Sequence, residues 1–154
     1  MSMAEIALRP LQETDQTFPY QVYVSTRDEE MALVDWLPEQ KEAFLRMQFG
    51  LREQQYRTAY PESVTEMILC NDVPAGVMIT AKSAEAIFLV DVALLPEFRR
   101  SGTGTAILCN LQKEGKKIIL HVLRQNPAEH LYSRLGFVPI AEDSMYLRME
   151  WDPR

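Results

Sequence analysis

A short basic turn that contains two glycines is the segment of this sequence best suited to chemistry. An apolar run ends at Leu95, and Arg99, Arg100, Gly102 and Gly104 follow before a helical pattern resumes. Glycines can take positive φ and let a ligand approach the backbone, while free N–H groups and the dipole at a helix start attract an anion. The turn therefore predicts a phosphate-sized anion site. A plain strand-to-helix turn with solvated arginines fits the pattern equally well.

Counting excludes two common phosphate-binding loops. The third glycine of a GxGxxG dinucleotide loop would fall at position 107, which is Ile107, and no Gly-Lys-Ser or Gly-Lys-Thr follows for a P-loop. A nucleotide-hydrolysing or dinucleotide-binding domain is therefore a poor interpretation of this turn.

A second segment, residues 126–137, carries a tyrosine at the edge of a predicted helix face. Ala128, Leu131 and Leu135 repeat at helical spacing, and Tyr132 lies four residues after the first of them and three before the last. Its hydroxyl would reach a cleft beside that helix. The alternative is a core tyrosine whose hydroxyl bonds to the backbone.

Together the two segments resemble the GNAT superfamily of N-acetyltransferases. Residues 99–104, Arg-Arg-Ser-Gly-Thr-Gly, fit the family's Q/R-x-x-G-x-G/A pyrophosphate loop, and residues 126–137 are similar to its Asn-x-x-x-x-Leu-Tyr-x-x-x-Gly-Phe segment. The resemblance implies a single α/β domain over residues 1–154, with a V-shaped gap between strands 4 and 5. It also implies an enzyme that transfers an acyl group, most often acetyl, from acetyl-CoA to a small-molecule or peptide amine by direct attack in a ternary complex.

The same resemblance implies roles for residues at the gap. Tyr132 would protonate the departing thiolate, a backbone N–H near Leu94 would polarise the thioester carbonyl, and His121 is the first choice for the general base. For His121, a strand histidine bonded to a neighbouring backbone group is the competing interpretation. Ser101 stands where many relatives have glycine, which leaves the loop one flexible position fewer. The residues expected to hold acetyl-CoA are Val92, Ala93, Leu94, Arg99, Arg100, Ser101, Gly102, Thr103, Gly104, Thr105 and Asn126.

The resemblance also implies that the acceptor binds near the segment between the first two predicted helices, where relatives often have acceptor-binding residues. Glu29, Glu30 and Asp35 could hold a cationic amine there, although charged loops are more often simply solvated. Aromatic residues at helical spacing are more often core, but three could wall an apolar acceptor pocket: Tyr20, Tyr23 and Trp36. A CoA-binding module without turnover is the alternative function, and Tyr132 and His121 argue against it because a pure binder needs neither.

Composition and charge narrow the class of protein. The 154 residues carry 16 Lys and Arg against 22 Asp and Glu, a net charge of −6, which disfavours nucleic acid and anionic membranes as partners. The longest nearly apolar stretch, residues 86–96, is interrupted by Asp91 and is shorter than the ~20 residues of a membrane-spanning helix. Without the basic start and apolar run of a secretory signal, a cytoplasmic protein is expected, with Cys70 and Cys109 as free thiols and no metal. A homodimer is compatible with the sequence.

The periodicity of the chain predicts one mixed α/β domain of about seven strands and four helices. Strands are expected at residues 6–11, at 67–79 as a hairpin that turns at Asn71 and Asp72, and at 86–95, 117–123, 137–140 and 145–151. Helices are expected at residues 15–27, 38–56, 105–114 and 127–135, with Pro19 near the start of the first.

Overall fold

The computed structural model describes residues 5–154, and its strands and helices follow the order expected from the periodicity. The strands are β1 (Ile6–Pro10), β2 (Val64–Cys70), β3 (Val73–Lys82), β4 (Ala86–Leu94), β5 (Lys117–Leu123), β6 (Val138–Glu142) and β7 (Tyr146–Trp151). The α-helices are α1 (Phe18–Thr26), α2 (Asp28–Ala32), α3 (Pro38–Ala59), α4 (Thr103–Gln112) and α5 (Ala128–Arg134), with short 3-10 turns at Glu13–Asp15 and Pro96–Phe98.

All seven strands form one sheet in the order β1-β2-β3-β4-β5-β7-β6. β4 and β5 are parallel, and every other neighbouring pair is antiparallel. The β2–β3 hairpin turns at Asn71 and Asp72, whose φ angles of 52° and 66° are the left-handed values that a tight two-residue hairpin turn needs. These features confirm the predicted mixed sheet and its hairpin.

The first half of the chain contains one helix more than the four predicted. The segment that follows α1 forms the five-residue helix α2. Asp28, Glu29 and Glu30 occupy its first turn, where the helix dipole favours negative charge, and Met31 is buried. Local electrostatics and one buried side chain therefore make a helix of a segment too short to show periodicity.

Helices α1 and α3 also differ from their predicted bounds. α1 begins at Phe18, because residues 13–15 form a separate 3-10 turn, and Pro19 lies in its first turn as expected. α3 continues through Gly50 to Ala59 without a break. Contacts with α1 outweigh the loss of helix stability that one glycine causes relative to alanine, which is about 1 kcal/mol.

Two apolar clusters hold the helices to the sheet. The larger lies between the sheet and helices α4 and α5, and it includes Leu89 of β4, Leu108 of α4 and Leu120 of β5. The smaller joins the first three helices around Tyr23 and Leu45, and α1 packs on β3 and β4. The sheet is therefore covered by α1 and α3 on one face and by α4 and α5 on the other.

The cysteines and the helices bear on two further expectations. Cys70 and Cys109 are both free thiols, as predicted. None of the helices in residues 5–154 combines the length and the apolar content that crossing a membrane requires.

An extra residue interrupts the regular pairing of β4. Along β3, Ile79 pairs with Asp91 while the adjacent Thr80 pairs with Leu89, so Val90 is a β-bulge without a partner on β3. A bulge bends its strand and increases the local twist. β4 therefore changes direction at Val90.

The pairing between β4 and β5 ends beside this bulge. Leu89 opposite Leu120 is the last parallel pair, although β4 continues to Leu94 and β5 to Leu123. The two strands diverge beyond that point, which confirms the predicted V-shaped gap. The second half of β4 consequently presents a strand edge that β5 leaves unpaired.

Candidate active site

The turn between β4 and α4 leaves three backbone N–H groups at a helix start without helical partners. Gly102, whose φ is 83°, is the N-cap of α4, and no side chain caps this end of the helix. The first helical hydrogen bond runs from Ala106 N to Gly102 O at 3.0 Å. The amides of Thr103, Gly104 and Thr105 therefore come before the first hydrogen bond of the helix and are the groups that a bound anion would use.

The conformation of this turn differs in detail from the one expected. Arg100 takes the second positive φ, at 59°, whereas Gly104 lies inside the helix. The Ser101 hydroxyl donates to the Phe98 carbonyl at 2.9 Å and lies 3.0 Å from the Thr103 hydroxyl. The side chain that replaces a glycine at position 101 thus fixes the turn through its own hydrogen bonds.

Arg99 ties the turn to two other elements. Its Nε donates to the Leu94 carbonyl at 2.9 Å, and its Nη2 donates to Ser25 Oγ on α1 at 3.3 Å. Arg100, in contrast, is exposed to solvent. Of the two adjacent arginines, only Arg99 is held in a defined position beside the gap.

A cavity of about 690 Å³, called here the cofactor-side cavity, lies between this turn and the gap. The residues proposed to hold acetyl-CoA that line it are Val92, Ala93, Leu94, Arg99, Gly104 and Asn126. The others belong to the adjoining turn and do not line it: Arg100, Ser101, Gly102, Thr103 and Thr105. Those five offer a ligand the turn's backbone and, at Arg100, an exposed charge.

Tyr132 points into the gap from α5. It lines the cofactor-side cavity and also a second, adjoining cavity. The residue is 9% exposed, its ring packs on Phe137, and its hydroxyl has no hydrogen-bond partner among residues 5–154. Burial, together with the negative charge of Asp91, raises the pKa of Tyr132 to about 12. The phenol therefore stays protonated at neutral pH and can donate a hydrogen bond into the gap.

Asp91 is a candidate site residue that the sequence patterns did not single out. Its Oδ2 accepts a hydrogen bond from Arg52 Nη1 of α3 at 3.2 Å. The Arg52 guanidinium lies 4.9 Å, 5.4 Å and 5.3 Å from the ring centroids of Tyr23, Phe49 and Tyr56. Burial raises the pKa of Asp91, and the charge of Arg52 opposes that rise. A carboxylate with a raised pKa is better matched to accepting a proton near neutral pH.

The bulge in β4 explains why Asp91 faces this site. Ile87 and Leu89, before the bulge, belong to the main apolar cluster, and Val92, after it, packs against the same cluster. Strict alternation would put Asp91 on the face of Leu89. The extra residue Val90 shifts the alternation, so Asp91 lies on the opposite face, towards α3. A single charge inside an apolar strand was the signal available in the sequence.

The second cavity, called here the acceptor-side cavity, has a volume of about 530 Å³ and lies on the α3 side of the gap. His121 lines it, and its exposed ring meets the ring of Phe88 with centroids 5.3 Å apart. Asp91 and Tyr132 line the same cavity. The structure therefore brings both predicted catalytic residues together, with Asp91 as a third titratable group.

The aromatic residues expected to wall an acceptor pocket lie elsewhere. Tyr20 and Tyr23 pack on Phe49 in the small cluster, with ring centroids 5.5 Å and 5.3 Å away. Trp36 packs on Phe44 at 5.3 Å. These rings join the first three helices to one another, as aromatic residues at helical spacing usually do.

The acidic residues of the same segment are also dispersed. Glu30 pairs with Arg27, and Glu29 lines a separate open cavity of about 850 Å³ that it shares with Arg99. Asp35 is exposed. None of the three lines the acceptor-side cavity.

Comparisons with known proteins agree with this architecture. A family model described as an acetyltransferase (GNAT) domain matches residues 64–139. Comparison with curated protein sequences gives no significant match.

Several solved structures share the fold. PaiA N-acetyltransferase from Thermoplasma acidophilum, in complex with coenzyme A, is 20% identical with a TM-score of 0.68, covering 96% of this chain and 99% of that chain. A histone acetyltransferase HPA2 and related acetyltransferase from Corynebacterium glutamicum is 23% identical with a TM-score of 0.67, covering 99% and 98%. An acetyltransferase from Thermus thermophilus is 16% identical with a TM-score of 0.66, covering 94% and 95%.

Identities below 25% show a likeness of fold, and the sequence match to the family model covers residues 64–139. The matched residues include β4, the turn, α4 and Tyr132. They therefore contain most of the gap described above. Residues 64–139 of this protein therefore match the GNAT acetyltransferase domain by sequence, and nearly the whole chain shares the fold of solved acetyltransferases.

Proposed function

We propose that this protein is an acyl-CoA-dependent N-acyltransferase that transfers an acetyl group from acetyl-CoA to a primary amine. The observation that carries the proposal is the gap beyond Leu89 and Leu120, with unpaired helix amides beside it and both Asp91 and Tyr132 inside it. A CoA-binding module needs the gap and the amides. It has no need of a protonated phenol and a carboxylate of raised pKa at the same point.

The residues around the cofactor-side cavity fit the parts of acetyl-CoA. The amides of Thr103, Gly104 and Thr105 would bind the diphosphate, because helix N-termini favour anions. Residues 92–94 of β4, which β5 leaves unpaired, would hydrogen-bond the pantetheine arm in the manner of an added strand. Asn126 already uses its side-chain oxygen on a backbone amide, so its N–H groups would serve the same arm.

Acetyl-CoA supplies an acetyl group activated as a thioester. In the overall change a carbon–nitrogen bond forms and the carbon–sulfur bond breaks. Of the two protons that the acceptor's ammonium group gives up, one ends on the CoA sulfur and the other passes to a base and then to solvent. Asp91 is the proposed base, because it lines the acceptor-side cavity and its pKa is raised. His121, on the opposite wall, is the second candidate for this role.

Neither cysteine is placed to carry the acetyl group. Cys70 is buried in the main cluster, and Cys109 on α4 lines neither cavity of the gap. An acyl-enzyme would need a nucleophile at the thioester. The proposed route is therefore direct attack by the amine in a ternary complex.

Tyr132 is the proposed donor to the departing sulfur. With a pKa of about 12, the phenol is a weaker acid than a thiol, whose pKa is near ~8.5. Complete proton transfer from Tyr132 to a free thiolate is therefore uphill. Its main contribution would be a hydrogen bond to the negative charge that develops on sulfur while the bond breaks.

Replacing Tyr132 with phenylalanine should lower kcat about 10- to 100-fold, the usual cost of a hydrogen bond to a charged group. The dissociation constant for acetyl-CoA should stay within about twofold, because the ring still fills its place. Steady-state kinetics and calorimetric titration measure the two effects, with Tyr20→Phe, outside the gap, as the control. An unchanged kcat would remove Tyr132 from the mechanism.

The function itself is tested by titrating the protein with CoA, ATP and NAD in a calorimeter, followed by acetyl transfer assays on a panel of amines. We expect CoA to bind at least about tenfold more tightly than either nucleotide, because only CoA has an arm for the gap. No heat with any CoA species would overturn the proposal. Tight CoA binding without acetyl transfer to any amine would identify a binding module instead.

A further inference from the structure

Six aromatic rings line the acceptor-side cavity. Its rings come from five different elements or their ends, so the cavity is enclosed by separate parts of the fold. Phe88 holds two of these rings in place, with Tyr60 at 4.9 Å and His121 at 5.3 Å between ring centroids. The full set of rings is Tyr56, Tyr60, Phe88, His121, Tyr132 and Tyr146. Aromatic faces carry partial negative charge and attract cations.

The charged groups of the cavity have the same sign. Its two carboxylates are Asp91, on the β4 wall, and Asp143, in the turn before β7 on the other wall. Among residues 5–154, no lysine or arginine lines it. Arg52, outside the lining, pairs with Asp91 and offsets that charge. Among residues 5–154, the Asp143 carboxylate forms no ion pair, although Arg124, which donates to the Asp143 backbone carbonyl at 3.1 Å and pairs with Glu142, lies near it. The cavity therefore keeps one carboxylate without an ion-pair partner on the wall away from Asp91.

Asp143 is held in place by the backbone. Its Oδ1 accepts hydrogen bonds from the amides of Met145 at 2.8 Å and Tyr146 at 2.7 Å. These amides, with Tyr146 the stronger, keep the pKa of Asp143 below its ordinary value. Its other oxygen, Oδ2, has no hydrogen-bond partner in the described part of the chain. The carboxylate is thus charged at neutral pH, fixed, and available on one side.

We infer that the acceptor is a small dicationic amine, with its reacting amino group beside Asp91 and a second cationic group held by Asp143 and the aromatic faces. A short apolar linker would span the cavity between the two walls. This inference rests on the proposed function, because it takes the acceptor-side cavity to be the place where the amine reacts. An acceptor with a carboxylate in place of the second cation would meet Asp143 as a like charge and bind poorly.

Three amines of equal chain length test this inference: 1,5-diaminopentane, 1-aminopentane and lysine, which is the diamine with an added carboxylate. We expect kcat/KM for acetyl transfer to be about tenfold higher for the diamine than for the monoamine, and lowest for lysine. 2-Phenylethylamine is included to represent a single cation with an aromatic body. Equal rates with diamine and monoamine, or a preference for 2-phenylethylamine, would overturn the inference while leaving the acetyltransferase function intact.

The variant Asp143→Asn removes the charge and keeps the amide oxygen that accepts from Met145 and Tyr146, so the turn should retain its shape. The preference for the diamine over the monoamine should fall to about twofold or less in this variant. Glu142→Gln is the matched control, because Glu142 is the adjacent carboxylate and does not line the cavity. It should keep the full preference. An Asp143→Asn enzyme that also keeps it would overturn the inference.

Calorimetric titration of the CoA-bound protein with 1,5-diaminopentane gives a readout that does not need catalysis. Binding that weakens in Asp143→Asn, in a protein that transfers no acetyl group, would support the dicationic site and refute the proposed function. Acetyl transfer to 1-aminopentane, in a protein that binds the diamine no better than the monoamine, would support the proposed function and refute the dicationic site. The two failures are therefore distinguishable.

Discussion

Asp91→Asn is expected to lower kcat/KM for acetyl transfer at neutral pH by about 100-fold or more, the usual contribution of a general base. The amine must lose a proton before it can attack, and Asp91 is the carboxylate that lines the acceptor-side cavity at the gap. Asparagine keeps an oxygen that can accept from Arg52. The variant should therefore fold and bind acetyl-CoA as the natural protein does.

The pH dependence distinguishes a base from a merely structural residue. Burial raises the pKa of Asp91, and only the unprotonated carboxylate can take a proton. Activity should therefore fall as the pH drops through that raised pKa, and this limb of the pH–rate profile should disappear in Asp91→Asn. The deficit of the variant should shrink at high pH, where a larger share of the amine is already neutral.

His121→Gln is the comparison that decides between the two proposed bases. His121 is exposed and its ring rests on Phe88, so its replacement should cost less than about tenfold if Asp91 is the base. A larger loss in His121→Gln than in Asp91→Asn would reverse the assignment.

Gly76→Ala should weaken CoA binding by about tenfold or more and lower the free energy of unfolding by about 1–3 kcal/mol. Gly76 lies in β3 opposite the second half of β4. A Cβ atom there would lie 2.1 Å from the Ala93 carbonyl oxygen and 3.0 Å from Leu94 Cα. Backbone atoms cannot rotate away as a side chain can. β4 must therefore move at the residues that line the cofactor-side cavity.

The matched control is Gly50→Ala in α3, where an added Cβ meets nothing within 4 Å. This change should leave CoA binding unaltered and raise the free energy of unfolding by about 0.5–1 kcal/mol, the ordinary gain from glycine to alanine in a helix. Thermal unfolding and calorimetric titration measure both variants. If Gly76→Ala matches the natural protein in melting temperature and CoA affinity, the close approach of β3 to β4 does not position the cofactor-side wall.

The parts of the fold that were predictable from sequence are those set by local signals. Alternation of apolar residues marked the strands, and Asn71 with Asp72 marked the hairpin turn. The short helix α2 gave no such signal, because it spans only five residues. The gap between β4 and β5 was expected only through a family resemblance. Its cause, the bulge at Val90, depends on the register with β3, which no single strand reveals.

In the candidate site, too, local sequence signals indicate some residues, whereas contacts between distant segments determine others. Tyr132 could be placed at a helix edge from spacing alone, whereas His121 was selected through the family resemblance. The pair formed by Arg52 and Asp91 joins residues 39 positions apart, which periodicity cannot connect. A charge within an apolar strand is costly unless it is paired. Asp91 could therefore have been selected for scrutiny, but its partner could not.

The extra residue at Val90 makes the length of β4 more important than its composition. The bulge bends this strand away from its parallel neighbour, and because it takes up the extra residue, the following carboxylate lies outside the apolar interior. Removing Val90 would restore regular pairing with β3 and take away the bend, while Asp91, then directly after Leu89, would still lie on the face towards α3. An engineering library aimed at new donors or acceptors can therefore vary side chains around the crevice, but it should preserve the number of residues between Leu89 and Asp91.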